Sequence, residues 1–363
     1  MKTRALTYAL ATLIGASMTT TAPAAYRNQN TEKSAPSLSF FKSVSLFKKV
    51  ILDQGRSPTA KLPEVRPNFT NFLAPSETMK FIWFGHSTFL LNVDGHLILV
   101  DPVFHNASPL PFLVKRFQAP VVTLDELPSV ETILISHDHY DHLDQKAIEY
   151  YVPRTNTRFI VPKGVGNHLR DWGIDDSRIT ELAWHESITS NDIKFTAAPA
   201  QHFSGRGLFD RNETLWASWI IQGNMDKIYY SGDSGYGPHF QEIGNKYGPF
   251  DYAFIENGQY NKLWPDVHMQ PEESIQALID LNAHTMIPVH WGMFDLSLHH
   301  WTEPIARTYA IARNWTVPLL TPRIGEIVDW NNRPSSAWWE PYLPAPESEP
   351  SHQELRMPEM ATR

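Results

Sequence analysis

His137-Asp138-His139-Tyr140-Asp141-His142 puts three imidazoles and the carboxylate of Asp141 within six residues, directly after the apolar run Ile133-Leu134-Ile135. Neutral imidazole together with carboxylate suits zinc, or another divalent first-row metal, better than calcium or magnesium. Three histidines and an aspartate in one turn exceed what a single structural ion takes from one segment, so two ions are the natural reading. A solvated turn rich in His and Asp is the bland alternative. An apolar run that stops at such a cluster reads as a buried strand delivering its ligands in the loop at its C-terminal end, where α/β proteins place function.

Three further stretches repeat that arrangement. Phe195-Thr-Ala-Ala-Pro-Ala-Gln-His202, Ile228-Tyr-Tyr-Ser-Gly-Asp233 and Met286-Ile-Pro-Val-His290 each end a strand-like run on a residue that can hold a metal. Taken singly, His202 or His290 would more often be a buried structural histidine. Four strand ends converging on one edge would instead build one site. His137 and His139 would face one ion with His202, Asp141 and His142 a second with His290, and the carboxylate of Asp233 can bridge both. Each ion keeps room for a shared water, the open position that catalytic sites retain.

The elements that must position these residues follow from the pattern of apolar runs. Phe81–Phe84, Phe89–Val93 and Leu97–Val100 are expected as short strands, with Asp94-Gly95 as a hairpin turn. Strands and helices then alternate: a short helix capped by Asp144, strands near 158–161, 178–184, 192–198, 215–221, 227–230, 251–255 and 285–289, and helices near 166–172, 240–246, 271–282 and 303–312. Pro271 at the start of its helix, followed by two glutamates, fits a helix N-terminus. The two halves look alike, which suits two sheets packed face to face with helices outside. His86, His185 and His299 are taken as structural, and His300 as a residue supporting the ligands from behind.

Bulk properties narrow the choice. The chain has 363 residues, a formal charge of -8, 31 basic residues and no cysteine. The charge gives no field for nucleic acid. Without cysteine, disulfides, iron–sulfur clusters and thiol catalysis are excluded, and any metal work falls to histidine and carboxylate. Residues 1–25 match a signal peptide, with Lys2 and Arg4, an apolar stretch and Ala22-Pro-Ala24-Ala25 as a cleavage site, so an exported, periplasmic or secreted protein is expected. An uncleaved signal acting as a membrane anchor is the alternative. Residues 26–76 are expected as a linker, with Phe40, Val44, Phe47 and Ile51 marking an amphipathic segment about 40–52 that packs on the domain or lies on a membrane surface. The main domain is expected over 77–330 and a Pro-rich, loosely ordered tail over 331–363. Residues 105–128 form a proline-punctuated loop of a length that is more often functional than idle.

The strings Trp83-Phe-Gly-His-Ser-Thr88, Ser136–Asp144, Gln201-His202, Leu215–Trp219, Gly232–Tyr236, Tyr247–Asp251, Pro271-Glu-Glu273 and Ile287–Gly292 together resemble the metallo-β-lactamase superfamily. Within it, the chain looks most like the N-acylphosphatidylethanolamine-hydrolysing phospholipase D group and its bacterial relatives, over roughly residues 65–325. The resemblance implies an α+β four-layer αββα sandwich with two Zn2+ per chain, held by His137, His139, Asp141, His142, His202, Asp233 and His290. It implies a histidine near the substrate phosphate at His268, and Asp141 as a ligand that also orients the nucleophile or takes its proton. The expected reaction is phosphodiester hydrolysis of a lipid by hydroxide activated between the two metals. A lactonase or soluble phosphodiesterase acting on a small molecule, and a non-catalytic zinc-binding protein, are the competing readings. Ile255-Glu-Asn-Gly258 departs from the apolar string of the mammalian lipases and brings a carboxylate and an amide near the site.

Overall fold

The computed structural model describes residues 26–29, 55–109, 114–207 and 209–344. The expected signal peptide, the amphipathic segment about 40–52 and the end of the tail lie outside the described residues.

Two sheets form the centre of the molecule. The first has seven strands in the order β13-β1-β2-β3-β4-β5-β6 and the second six in the order β12-β11-β10-β9-β8-β7. In chain order the first sheet holds β1 (Lys80–Trp83), β2 (Phe89–Val93), β3 (His96–Val100), β4 (Thr132–Leu134), β5 (Arg158–Pro162), β6 (Ile179–Leu182) and β13 (Ile327–Val328). The second holds β7 (Ser187–Ser190), β8 (Ile193–Ala198), β9 (Ser218–Gln222), β10 (Lys227–Tyr230), β11 (Phe250–Glu256) and β12 (Ala283–Val289). One buried cluster fills the space between the sheets and includes Phe81, Leu99, Phe195, Trp219, Phe254 and Ile287. A second packs the other sheet's outer face against helices through Ile220, Tyr229, Phe240, Ile275, Leu278 and Met286. Helices outside paired sheets give the expected αββα layering.

Register decides where the strands deliver their ends. β3, β4, β5 and β6 are mutually parallel, and β1 runs with β3 because each is antiparallel to β2. In the second sheet β10, β11 and β12 are parallel, and β8 joins them because β9 opposes both β8 and β10. The residues that follow β1, β3, β4, β8, β10, β11 and β12 therefore leave their strands at the C-terminal end, the end that carries sites in α/β sheets.

Among the described residues six α-helices accompany the sheets: α1 (Phe69–Leu73), α2 (Gln145–Tyr150), α3 (Gly166–Asp171), α4 (His239–Tyr247), α5 (Pro271–Asp280) and α6 (Glu303–Trp315). Asp144 caps α2 by accepting from the Lys146 and Ala147 amides. Gln270 and Glu273 close a capping box on α5, with Pro271 in its first turn.

Two boundaries differ from the expectation. Residues 55–76 are not merely a linker, since Leu62 and Phe72 are buried and Phe69–Leu73 is helical behind Asn68 as its cap. Residues 331–344 are not loosely ordered either. Trp339 is 1% exposed and meets Trp291, Trp338 and Tyr309 at ring distances of 5.3 to 5.8 Å. Proline removes backbone partners but does not prevent a large aromatic from docking, and that burial outweighs the local composition. Replacing Trp339 by alanine is expected to lower unfolding stability by about 3–5 kcal/mol, the cost of emptying a buried Trp site. Denaturant unfolding checks this, and a loss under about 1 kcal/mol would place the segment outside the core.

Candidate metal centre

All eight residues singled out from the sequence meet at this strand-end edge. His137 and His139 follow β4, His202 follows β8, Asp233 follows β10 and His290 follows β12. His137, His139, His202 and Asp233 form one group of potential ligand atoms, all within 4.8 Å of one another. Asp141, His142 and His290 form a second, joined by His86.

The first group shows why a cation fits. His137 Nε2 lies 2.9 Å from His139 Nδ1, which lies 3.2 Å from His202 Nε2. His202 donates from Nδ1 to the Val267 carbonyl at 3.0 Å, so its Nε2 lone pair faces the group. His137 is engaged at Nδ1 by Ser136 Oγ at 2.9 Å, which likewise turns Nε2 inward. Neutral imidazole nitrogens facing one another at these distances bring lone pairs together, and a cation among them removes the conflict. Burial pushes His137 and His202 well below the ordinary histidine range and His139 down to about 4. All three stay neutral at pH 7, the form that binds metal.

Asp233 joins the groups. Its Oδ2 is 3.7 Å from His202 Nε2, 3.8 Å from His137 Nε2 and 3.1 Å from His142 Nε2, while Oδ1 is 3.0 Å from His290 Nδ1. Burial raises its carboxyl to about 6, although His142 acts in the opposite direction. His142 is the exception among the imidazoles. Burial alone would depress it, but the charges of Asp233 and Asp141 and the bond to Asp101 together push it well above the ordinary range. His139 Nε2, His142 Nε2 and Asp233 Oδ1 are buried without a hydrogen-bond partner among the described residues. Buried polar atoms left unpaired in this way call for an ion or water.

Three residues of the centre were not assigned to it from sequence. His86, taken as structural, sits in the turn between β1 and β2 with Nε2 2.9 Å from Asp141 Oδ2 and its ring 4.1 Å from that of His290. Its backbone clamps the turn to the end of β12, because the His86 amide donates to the Trp291 carbonyl and the His290 amide to the His86 carbonyl. Both His86 and His290 take a left-handed backbone, φ 53° and 66°. Asp101, at the end of β3, is wholly buried and accepts from the Ser136 amide at 2.7 Å, Ser136 Oγ at 2.5 Å and Tyr230 hydroxyl at 2.5 Å. It also holds His142 Nδ1 at 2.7 Å, which aims Nε2 at Asp141 and Asp233. Glu256, at the end of β11, holds His268 Nδ1 at 2.9 Å and accepts the Met269 amide at 2.6 Å. The sequence departure at Ile255-Glu-Asn-Gly258 was the available signal for Glu256. For Asp101 and His86 the signal was only their place beside Pro102 and within the turn string.

Other histidines stay outside the ligand groups. His185 meets the Tyr247 hydroxyl, His299 accepts the Gln259 amide through Nε2, and His300 pairs with Thr302 rather than with a ligand. Asp138, inside the His-rich loop, turns away and accepts from Gly205 and Thr214, anchoring the segment that leads to β9.

Fold and centre together define a metal-dependent hydrolase. Residues 96–291 match the family described as the beta-lactamase superfamily domain, and the chain belongs to that superfamily. It is 42% identical over 277 residues to an uncharacterized protein of Mycobacterium tuberculosis, covering 75% of this chain and 74% of that one. It is 33% identical over 236 residues to N-acyl-phosphatidylethanolamine-hydrolyzing phospholipase D 1 of Caenorhabditis elegans, covering 61% of this chain and 66% of that one. Among solved structures, the metallo hydrolase Igni18 of Ignicoccus hospitalis shares the fold with a TM-score of 0.53 at 22% identity, over 69% of this chain and 97% of that one.

Asp101→Asn keeps the shape but replaces the oxygen that holds His142 by an amide. It is expected to weaken metal affinity by about 10–100-fold, as loss of a partner behind a ligand does. Competition with a chromogenic chelator measures it, and unchanged affinity would show that Asp101 does not set the ligand.

Proposed function

We propose that this hydrolase cleaves the phosphodiester of N-acylphosphatidylethanolamine-like lipids in the manner of a phospholipase D, with two zinc ions as its resident cations. His137, His139 and His202 would hold one ion, Asp141, His142 and His290 the other, and Asp233 would touch both. Two such ions supply a water that loses its proton near neutral pH and a positive field on the phosphoryl oxygens.

The observation that carries the reading is the placement of His268. Its ring lies 5.2 Å from that of His202 and 5.1 Å from that of His290, so it sits beside both ligand groups, and its ligand atom lies within 4.8 Å of those of Asp233, Glu256 and His290. Burial pushes Glu256 well above the ordinary carboxyl range, against the opposing bonds from the Met269 and Ser234 backbone. In its neutral form Glu256 would donate through Oε2 to His268 Nδ1, which would leave the His268 proton on Nε2. That N–H is a donor for a phosphoryl oxygen whose charge grows as the diester is attacked. Asp141 stays ionised: burial would raise it, but the His142 charge and the bonds from His142 and His86 hold it well below the usual carboxylate range. Its carboxylate orients the attacking water or takes its proton. The name of the C. elegans relative supports the choice of lipid. On the pattern of residues 1–25 and 40–52, we place the protein outside the cytoplasm with its substrate in a membrane.

Incubation of zinc-loaded protein with N-acylphosphatidylethanolamine vesicles is expected to release phosphatidic acid and N-acylethanolamine together, detected by mass spectrometry. His268→Ala is expected to reduce the rate by about 10²–10³-fold, the usual cost of losing one such donor. Cleavage of a lactone without cleavage of the diester would overturn the lipase reading.

A further inference from the structure

The loop that carries His137–His142 also forms part of a second cavity. It measures 680 Å³ and is bounded by Tyr140, Leu143 and Asp144 from that loop and by parts of the stretches 104–109 and 115–119. None of the seven candidate metal ligands lines it. Four cations do: Lys115, Arg116, Lys146 and Arg206.

Asp144 is the lone carboxylate in the described lining, and its acceptor capacity is already taken. Oδ2 accepts from the Phe104 and His105 amides and from His105 Nδ1, and Oδ1 from the Lys146 and Ala147 amides. The two guanidiniums are held by neutral groups instead. Arg116 donates from Nη1 to the Val103 carbonyl at 2.6 Å and from Nε to the Gln118 carbonyl at 3.3 Å. Arg206 donates from Nη1 to the Asp138 and Leu143 carbonyls at 2.7 Å each, with its plane 4.0 Å over the Tyr140 ring. Neither guanidinium has a carboxylate oxygen within 4.0 Å among the described residues, and neither Nη2 donates to a described residue.

Carbonyls and aromatic faces fix the direction of a guanidinium without neutralising it. Burial lowers Arg116 to about 10, with Asp144 acting the other way. Both guanidiniums are half-buried and feel carboxylates only at longer range, Asp144 for Arg116 and Asp138, Asp144 and Asp210 for Arg206, so a ligand anion in direct contact supplies the close counter-charge that neither has. A guanidinium fork with a free edge matches phosphate oxygens, and two exposed lysines nearby suit a doubly charged group. Phe104, Pro109 and Ala119 add an apolar wall beside the cations.

We propose that this cavity binds a phosphate group, carried on a small amphiphile or free in solution, at a site separate from the metal centre. The site does not depend on the phospholipase reading, since it rests on charge and cavity alone.

Calorimetric titration of the full-length, metal-loaded chain tests it, with dihexanoyl phosphatidic acid below its micelle concentration and, separately, inorganic phosphate. Arg206→Gln and Arg116→Gln are each expected to weaken binding by roughly tenfold or more, as loss of a charge-assisted donor does. The double variant Lys115→Gln/Lys146→Gln alters exposed side chains only. It is expected to weaken binding by roughly three-fold or more while retaining its metal, so it decides the matter even if an arginine variant fails to fold. Tighter binding of phosphatidic acid identifies a lipid head group, and equal affinities identify phosphate itself. Either outcome upholds the site. Affinity unchanged in the lysine double variant and in every arginine variant that folds would overturn it, as would binding that competes one-for-one with occupancy of the metal centre.

Discussion

Nitrogen and oxygen donors crowded within 4.8 Å of one another and held out of water need positive charge among them. That constraint organises the molecule. Burial keeps His137, His139, His202 and His290 neutral, so they present lone pairs rather than protons. The His142–Asp233 contact is where a proton can stand in for a cation. Because such a site does not exist in the unfolded chain, whatever binds it also stabilises the fold.

Topology meets the constraint by aligning strand ends. In the first sheet β1, β3 and β4 point to the same edge, and in the second β8, β10, β11 and β12 do so. The two sheets are tied at the site through Asp101. From the end of β3 it binds Ser136 and His142 of its own sheet's loop and the Tyr230 hydroxyl from β10 of the other. Glu256 has a comparable part on the second sheet, linking the end of β11 to His268 and the start of the segment that leads into α5. Rigid strand ends, rather than mobile loops, thus set the positions of the reactive side chains.

The ligands were legible in the sequence because each follows an apolar run, a local pattern that survives without knowledge of the fold. His202, Asp233 and His290 could be grouped with the His-rich loop for that reason, and the structure brings them together. The strand–helix order was legible on the same grounds, as were the helix starts marked by the Asp144 cap and by Pro271 in the first turn. His86 was not, since its turn packs on the end of β12 some two hundred residues away and nothing local announces that contact. Asp101 directly follows the expected strand Leu97–Val100, and only the cross-sheet bond to Tyr230 reveals its second role. Trp339 was misplaced because proline-rich composition signals missing backbone partners and says nothing about where one indole docks. Glu256 stood between these cases, visible as an unexpected charge but without a partner until the fold placed His268 beside it.

We propose that these residues form one centre for two cations. Anomalous X-ray scattering at the zinc edge, from crystals of zinc-loaded protein, tests it most directly. Two peaks are predicted, one among His137, His139 and His202 and the other among Asp141, His142 and His290, with Asp233 in contact with both. A single peak, or a second one away from Asp233, would contradict the account.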